Sequence, residues 1–182
     1  MKIQKNISAT RQRWLNKPIL ASKVQLWLIH SGSLTARLQQ RYIKFAVKPV
    51  VVRYAKLIQD EAYLLHQASY KSALVREVLL MGNNQPVVFA HSVLSRTSLR
   101  GAWNGLGRLG NKPLGATLFA NPKVKRTPLS YKKLTPNHAL YQLATQHLAV
   151  KPSYLWARRS IFSLNYANLM VTEVFLPPLI VQ

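Results

Sequence analysis

Only four carboxylates stand against 26 Lys plus Arg in this 182-residue chain, so each acid can be examined for chemistry. Asp60 and Glu61 are adjacent, beside a predicted helix, and read as ordinary surface or helix N-terminal charges. Glu77 and Glu173 sit in apolar runs instead. In Leu74-Val75-Arg76-Glu77-Val78-Leu79-Leu80 side chains alternate, which puts Arg76 on one face with Leu74, Val78 and Leu80, and Glu77 on the other with Val75 and Leu79. One of the two charges is therefore expected to point inward. In the last predicted strand Leu169, Val171, Glu173 and Phe175 share a face with no other polar group. A carboxylate there must be paired, protonated or catalytic, because an isolated ionised group in apolar surroundings is strongly disfavoured. Two readings stay open. The structural one is a buried Arg76–Glu173 ion pair, or an arginine snorkelling at a sheet edge with Glu173 wet on the far side, and periodicity alone favours it. The functional one has Arg76 gripping a substrate carboxylate through its bidentate fork while Glu173 does acid or base work in a closed apolar pocket.

Other residue types offer less. His30, His66, His91, His138 and His147 fall in different predicted elements without metal-ligand spacing, so no metal site is expected. The absence of cysteine removes disulfides, thiolate clusters and a cysteine nucleophile, and fits a reducing compartment such as the cytoplasm. Glycines at 101, 105, 107 and 110 lie inside a helical pattern, which explains them better than a phosphate-cradling loop.

The elements that must hold Arg76 and Glu173 can be read from periodicity. Lys23 to Gln40 shows helical spacing in two pieces around Ser31-Gly32-Ser33, a helix, a turn and a second helix with Ser33 as N-cap. Lys44 to Leu57 reads as a strand with an irregularity at Pro49. Leu74 to Met81 and Val87 to Leu94 form a hairpin across Gly82-Asn83-Asn84-Gln85-Pro86. Leu99, Trp103, Leu106 and Leu109 predict a helix from Ser98 stopped at Gly110, and Asn111 to Gly115 turns into a short helix through Phe119. Residues 120–152 are basic and proline-punctuated, with one helix-like stretch near Tyr141 to His147, and read as an excursion from the core. Two last strands, Arg158 to Tyr166 and Leu169 to Leu176, are expected to turn at Ala167-Asn168. Hairpin-ordered strands with helices grouped between them predict one α+β domain over residues 1–182, with a single antiparallel sheet of about six strands and helices mainly on one side.

Composition adds bounds. At 48% hydrophobic the chain can bury one substantial core but is short for two domains. No apolar run is long enough to span a bilayer. The early stretch with Lys5, Ser8, Arg11, Arg13 and Lys17 has a transit-peptide composition, although a basic first helix in a basic chain needs no special explanation. A net charge of +22 attracts anions from nucleic acid to small carboxylates, but the basic residues are interleaved with apolar ones and not gathered in a tail. The densest stretch, Lys123 to Lys133, reads as a solvated loop.

Four blocks of sequence resemble the chorismate pyruvate-lyases of ubiquinone biosynthesis. They are Trp27-Leu28 with Ser33-Leu34-Thr35-Ala36-Arg37; Val75-Arg76-Glu77-Val78-Leu79-Leu80; Lys112-Pro113-Leu114-Gly115 with Leu118-Phe119; and Leu155-Trp156-Ala157-Arg158-Arg159-Ser160 leading to Thr172-Glu173-Val174-Phe175-Leu176-Pro177. Their order and approximate spacing match from about Lys23 to Pro178. The resemblance implies a cofactor-free, metal-free lyase that converts chorismate to 4-hydroxybenzoate and pyruvate. Independently of it, a cytoplasmic monomer is the working expectation. The resemblance also implies a ligand buried against an antiparallel sheet under helix-turn-helix flaps. By position Arg76 would hold the ring carboxylate, Glu173 would meet the ring hydroxyl, and Leu34 and Leu114 would supply flap contacts through backbone groups. Whether Glu173 is the general base or only orients the hydroxyl stays open. Leu34 stands where the family often has methionine, and His91 where arginine is common, which puts a second anion contact there in question. The alternatives are a non-enzymatic small-ligand module of related fold and a basic nucleic-acid-binding protein.

Overall fold

The computed structural model describes residues 13–18, 23–65, 67–68 and 71–181, so Lys5, Ser8, Arg11 and His66 lie outside the described residues. Two hairpins form the middle of the sheet. Strands β2 (Ser72–Gly82) and β3 (Gln85–Ser95) are buried along nearly their whole length, and both faces are mostly apolar because helices cover both. Asn83 and Asn84 make the turn with φ of 48° and 66°, the left-handed pair that a two-residue hairpin requires and that asparagine tolerates. Strands β6 (Leu155–Leu164) and β7 (Ala167–Phe175) are joined the same way by Asn165 and Tyr166, at φ 48° and 62°. The expected turn at Ala167-Asn168 is thus two residues too late.

Strand β1 (Phe45–Lys56) pairs with β2 and shifts register between Pro49 and Val51, where proline's missing N–H interrupts the ladder. The order β1-β2-β3-β7-β6-β4 makes a seven-stranded antiparallel sheet, β4 being Lys125–Arg126; β5 (Ser130–Leu134) also pairs with β6. Residues 120–152 therefore contribute to the sheet rather than leaving it. The helix α6 (Ala139–Thr145) from the same segment buries Leu140, Tyr141 and Ala144. Short strands punctuated by proline and lysine carry too little period-2 signal to be seen in sequence.

One sheet face is covered by α1 (Gln25–Leu28), α2 (Leu34–Arg41), α4 (Arg96–Arg100), α5 (Leu114–Ala120) and α7 (Pro177–Val181). The other carries α3 (Gln59–Leu64) and α6. The long helix expected from Ser98 to Gly110 is instead α4, a set of turns and a 3-10 turn at Leu106–Arg108. Gly105 takes φ of 90° and Gly110 φ of 53°, conformations that interrupt a helix. Trp103 and Leu106 nevertheless pack with Leu74, Leu94 and Leu169, so their spacing reflects a buried face without a continuous helix. Among the described residues no helix is long and apolar enough to cross a membrane.

Candidate active site

The first helical face and the sheet do not meet everywhere. Between them lies a pocket with about 560 Å³ of empty space, part of it open to solvent. Its floor is the sheet, through Arg76, Val78, Leu80, Ala90, Ser92, Ser160, Val171 and Glu173. Its roof is two helix starts, Leu34 of α2 and Leu114 of α5. Ser33 caps α2, its hydroxyl accepting from Ala36 N at 3.3 Å, as its position predicts. The two roof helices cross at Gly115, where a Cβ would stand 3.2 Å from Thr35 Oγ1 and 3.3 Å from Ser33 Oγ. Glycine permits that approach. The two flaps are thus built from Gln25–Arg41 and from the segment ending in α5.

The structure brings Leu34, Arg76, Leu114 and Glu173 to this one pocket. Arg76 is 5% exposed, and burial pulls its guanidinium below its ordinary pKa. Its Nη2 donates to the carbonyls of Gly110 and Lys112 at 3.0 and 3.1 Å, which fixes the side chain against the second flap. Its Nε has no hydrogen-bond partner among the described residues. A buried guanidinium N–H left unpaired beside an apolar cavity is a ready donor for an anion.

Glu173 does not pair with Arg76. Its partner is Arg158, directly opposite on β6, whose Nε donates to Glu173 Oε2 at 2.5 Å. Arg158 is fully buried, and its Nη1 donates to the carbonyls of Trp27, Leu28 and His30 at 3.0, 3.3 and 2.5 Å. One guanidinium therefore ties the carboxylate to the end of α1, at the root of the first flap. Sequence reasoning missed this residue because the misplaced hairpin turn put Arg158 out of register with Glu173. Asn165, a residue at home in left-handed turns, was the available signal.

Arg126 of β4 is a further cation on the pocket wall. Its Nε donates to Ser160 Oγ at 2.9 Å and its Nη1 to the Ser31 carbonyl, and it lies 5.4 and 5.1 Å from the ring centroids of Phe119 and Phe162. Nothing in a basic loop-like stretch distinguished it beforehand.

The remaining acids lie across the sheet. Glu77 Oε1 is 3.1 Å from His91 Nδ1, and Glu61 Oε1 of α3 is 3.1 Å from His91 Nε2, with all three residues buried. Burial works to lower His91, but its contacts with Glu61 and Glu77 outweigh it and push the imidazole up to about 9. His91 thus faces away from the pocket that Ala90 and Ser92 line and supplies no anion contact there. Asp60 accepts from Trp14 Nε1 at 2.6 Å and Arg159 Nη1 at 3.0 Å. Burial works to raise Asp60, but these partners hold it below the usual carboxylate range. Asp60 and Glu61 do open α3, as expected, but Glu61 is only 1% exposed and not a surface charge.

Comparison with known proteins bears on this geometry. The family model described as Chorismate lyase matches residues 7–182. The chain is 47% identical over 165 residues to a probable chorismate pyruvate-lyase from Nitrosomonas europaea, covering 90% of this chain and 93% of that one. It is 49% identical over 162 residues to a probable chorismate pyruvate-lyase from Nitrosospira multiformis, covering 88% and 90%. Among solved structures it resembles a GntR-family transcriptional regulator from Bacillus cereus, with a TM-score of 0.55 and 11% identity over 74% of this chain and 92% of that one. That likeness is one of fold.

Proposed function

Because the chain belongs to the chorismate lyase family, we propose that it cleaves chorismate to 4-hydroxybenzoate and pyruvate in the pocket beneath the two flaps. Arg76 holds the ring carboxylate and Glu173 the ring hydroxyl. The observation that carries this assignment is a guanidinium with an unpaired N–H and a fixed carboxylate on one otherwise largely apolar floor. Arg76 on β2 and Glu173 on β7 are separated by β3 and offset by two residues, since Arg76 faces Ser92 while Glu173 faces Ala90. Strand spacing and rise put their Cα atoms about 12 Å apart. Two side chains reaching inward from such positions bracket a ring with para substituents. Leu34 and Leu114 close over it, their backbone N–H groups at the helix starts being free to meet the carboxylate.

The reaction asks for positioning. The bond from ring C3 to the ether oxygen breaks, its electron pair leaving with enolpyruvate. C4 loses its hydrogen while keeping its hydroxyl, and the C–H electron pair completes the aromatic ring. The departing enol gains a proton on its methylene carbon and becomes pyruvate. Aromatisation supplies the driving force, and the protein supplies alignment and exclusion of water.

Geometry favours the orienting role for Glu173. One oxygen is committed to Arg158, and the ring hydroxyl takes the other, so neither is placed to abstract the C4 hydrogen. That hydrogen then passes internally to the enolpyruvyl methylene. The product is the ring precursor of ubiquinone, the role the family resemblance implies. Chorismate carrying deuterium at C4 tests both parts. The expected result is equimolar 4-hydroxybenzoate and pyruvate, with the label in the pyruvate methyl group; label lost to water would overturn the internal transfer, and absence of both products the activity.

A further inference from the structure

We propose that Arg126 binds the second carboxylate of the substrate, the one that departs as pyruvate, and so separates the dianionic substrate from its monoanionic product. This rests on the chorismate reading above. Chorismate carries two carboxylates, and Arg76 takes only one. The other cannot enter a largely apolar pocket unpaired, because burying a bare carboxylate costs far more than binding returns. Among the residues lining the pocket the cations are Arg76 and Arg126. Arg158 is not among the lining residues, and its Nε and Nη1 are held by Glu173 and by three carbonyls. His91, where a second anion contact was in question, points through the opposite face of the sheet.

Position agrees with charge. The enolpyruvyl group sits on the ring carbon next to the one bearing the hydroxyl, so its carboxylate must fall beside Glu173 and away from Arg76. Arg126 occupies that end. It pairs through β4 with Phe162 of β6, and its guanidinium reaches Ser160, two residues from Arg158. Burial lowers its pKa, and the charges of Glu173 and Arg158 both act on it. The side chain is pre-set: Ser160 fixes Nε, and the Phe119 and Phe162 rings lie beside the guanidinium. Its Nη1 also holds the Ser31 carbonyl at the turn of the first flap, so the carboxylate that leaves is bound next to that turn.

The test separates substrate from product. In Arg126→Met the chorismate KM is expected to rise at least about tenfold, the loss typical of a truncated charge pair. The dissociation constant of 4-hydroxybenzoate, which lacks the second carboxylate, should stay within about twofold by the same arithmetic. Arg126→Lys should recover part of the loss in KM. An unchanged KM, or product affinity that falls in step with KM, would overturn the proposal. A second arm uses the wild-type protein: 4-hydroxybenzoate with a carboxymethoxy group at ring position 3 should bind at least tenfold more tightly than its 3-methoxy counterpart. Equal affinities would overturn it without any substitution. Failure of the wild-type protein to turn over chorismate would instead remove the activity itself.

Discussion

A carboxylate on an apolar sheet face needs a partner for its charge, and Arg158 provides one for Glu173 at 2.5 Å while being fully buried itself. The pair leaves the charge fixed in place and one oxygen turned to the pocket. Glu173→Gln keeps an acceptor oxygen for Arg158 but turns an amide N–H to the hydroxyl and removes the charge. Loss of a charge-assisted hydrogen bond worth about 1.5–3 kcal/mol should lower kcat/KM about 10- to 100-fold, with 4-hydroxybenzoate still bound. Steady-state kinetics check this; turnover lost altogether with binding intact would make Glu173 the base. At this scale the sequence was partly legible. Alternation in two strands was enough to single out Arg76 and Glu173, because period 2 and acid scarcity both act locally. The partnership of Glu173 depends on register, which a two-residue error in one turn conceals.

The β2–β3 hairpin works on both faces at once. Arg76 and Ala90 look into the pocket, while Glu77 and His91 look at α3 and meet Glu61. Glu61 also caps its own helix, accepting from Ile58 N at 3.0 Å. A histidine between two buried carboxylates is a charged pin, and it can be lost. Its pKa of about 9 in the folded chain lies above the ordinary 6.5, so its stabilisation is complete below about pH 6.5 and disappears as pH rises through 9. The melting temperature should therefore fall between about pH 7 and 9.5. His91→Arg keeps its charge throughout that range. Thermal melts of the two proteins across pH check the point: the alkaline fall should flatten in the variant, and an identical slope would count against the pin. The hairpin itself was plain in the sequence from its two valine- and leucine-rich runs around Asn83-Asn84. The α3 contact was not, because which helix covers a face is a property of the assembled fold.

Across the whole molecule, every acid is used internally. Asp60 pairs with Arg159, Glu61 and Glu77 with His91, and Glu173 with Arg158. The +22 charge is therefore projected outward with little acid to offset it. Such a field draws a small dianion toward the molecule, and the pocket then sorts it by where its charges fall. The α+β class and the antiparallel sheet followed from hairpin order alone. The seventh strand and the inward role of residues 120–152 did not, since β4 and β5 are held by pairing with β6 more than by any pattern of their own. The central claim is that Arg76, buried and unpaired at Nε beneath the flaps, is the anchor of the substrate's ring carboxylate. The most direct measurement is kcat/KM for chorismate, followed by pyruvate release, in the wild-type protein and in Arg76→Met. Truncating a buried charge pair should lower it at least about 100-fold, equivalent to about 3 kcal/mol. A folded Arg76→Met protein that releases pyruvate with wild-type kcat/KM would contradict the account.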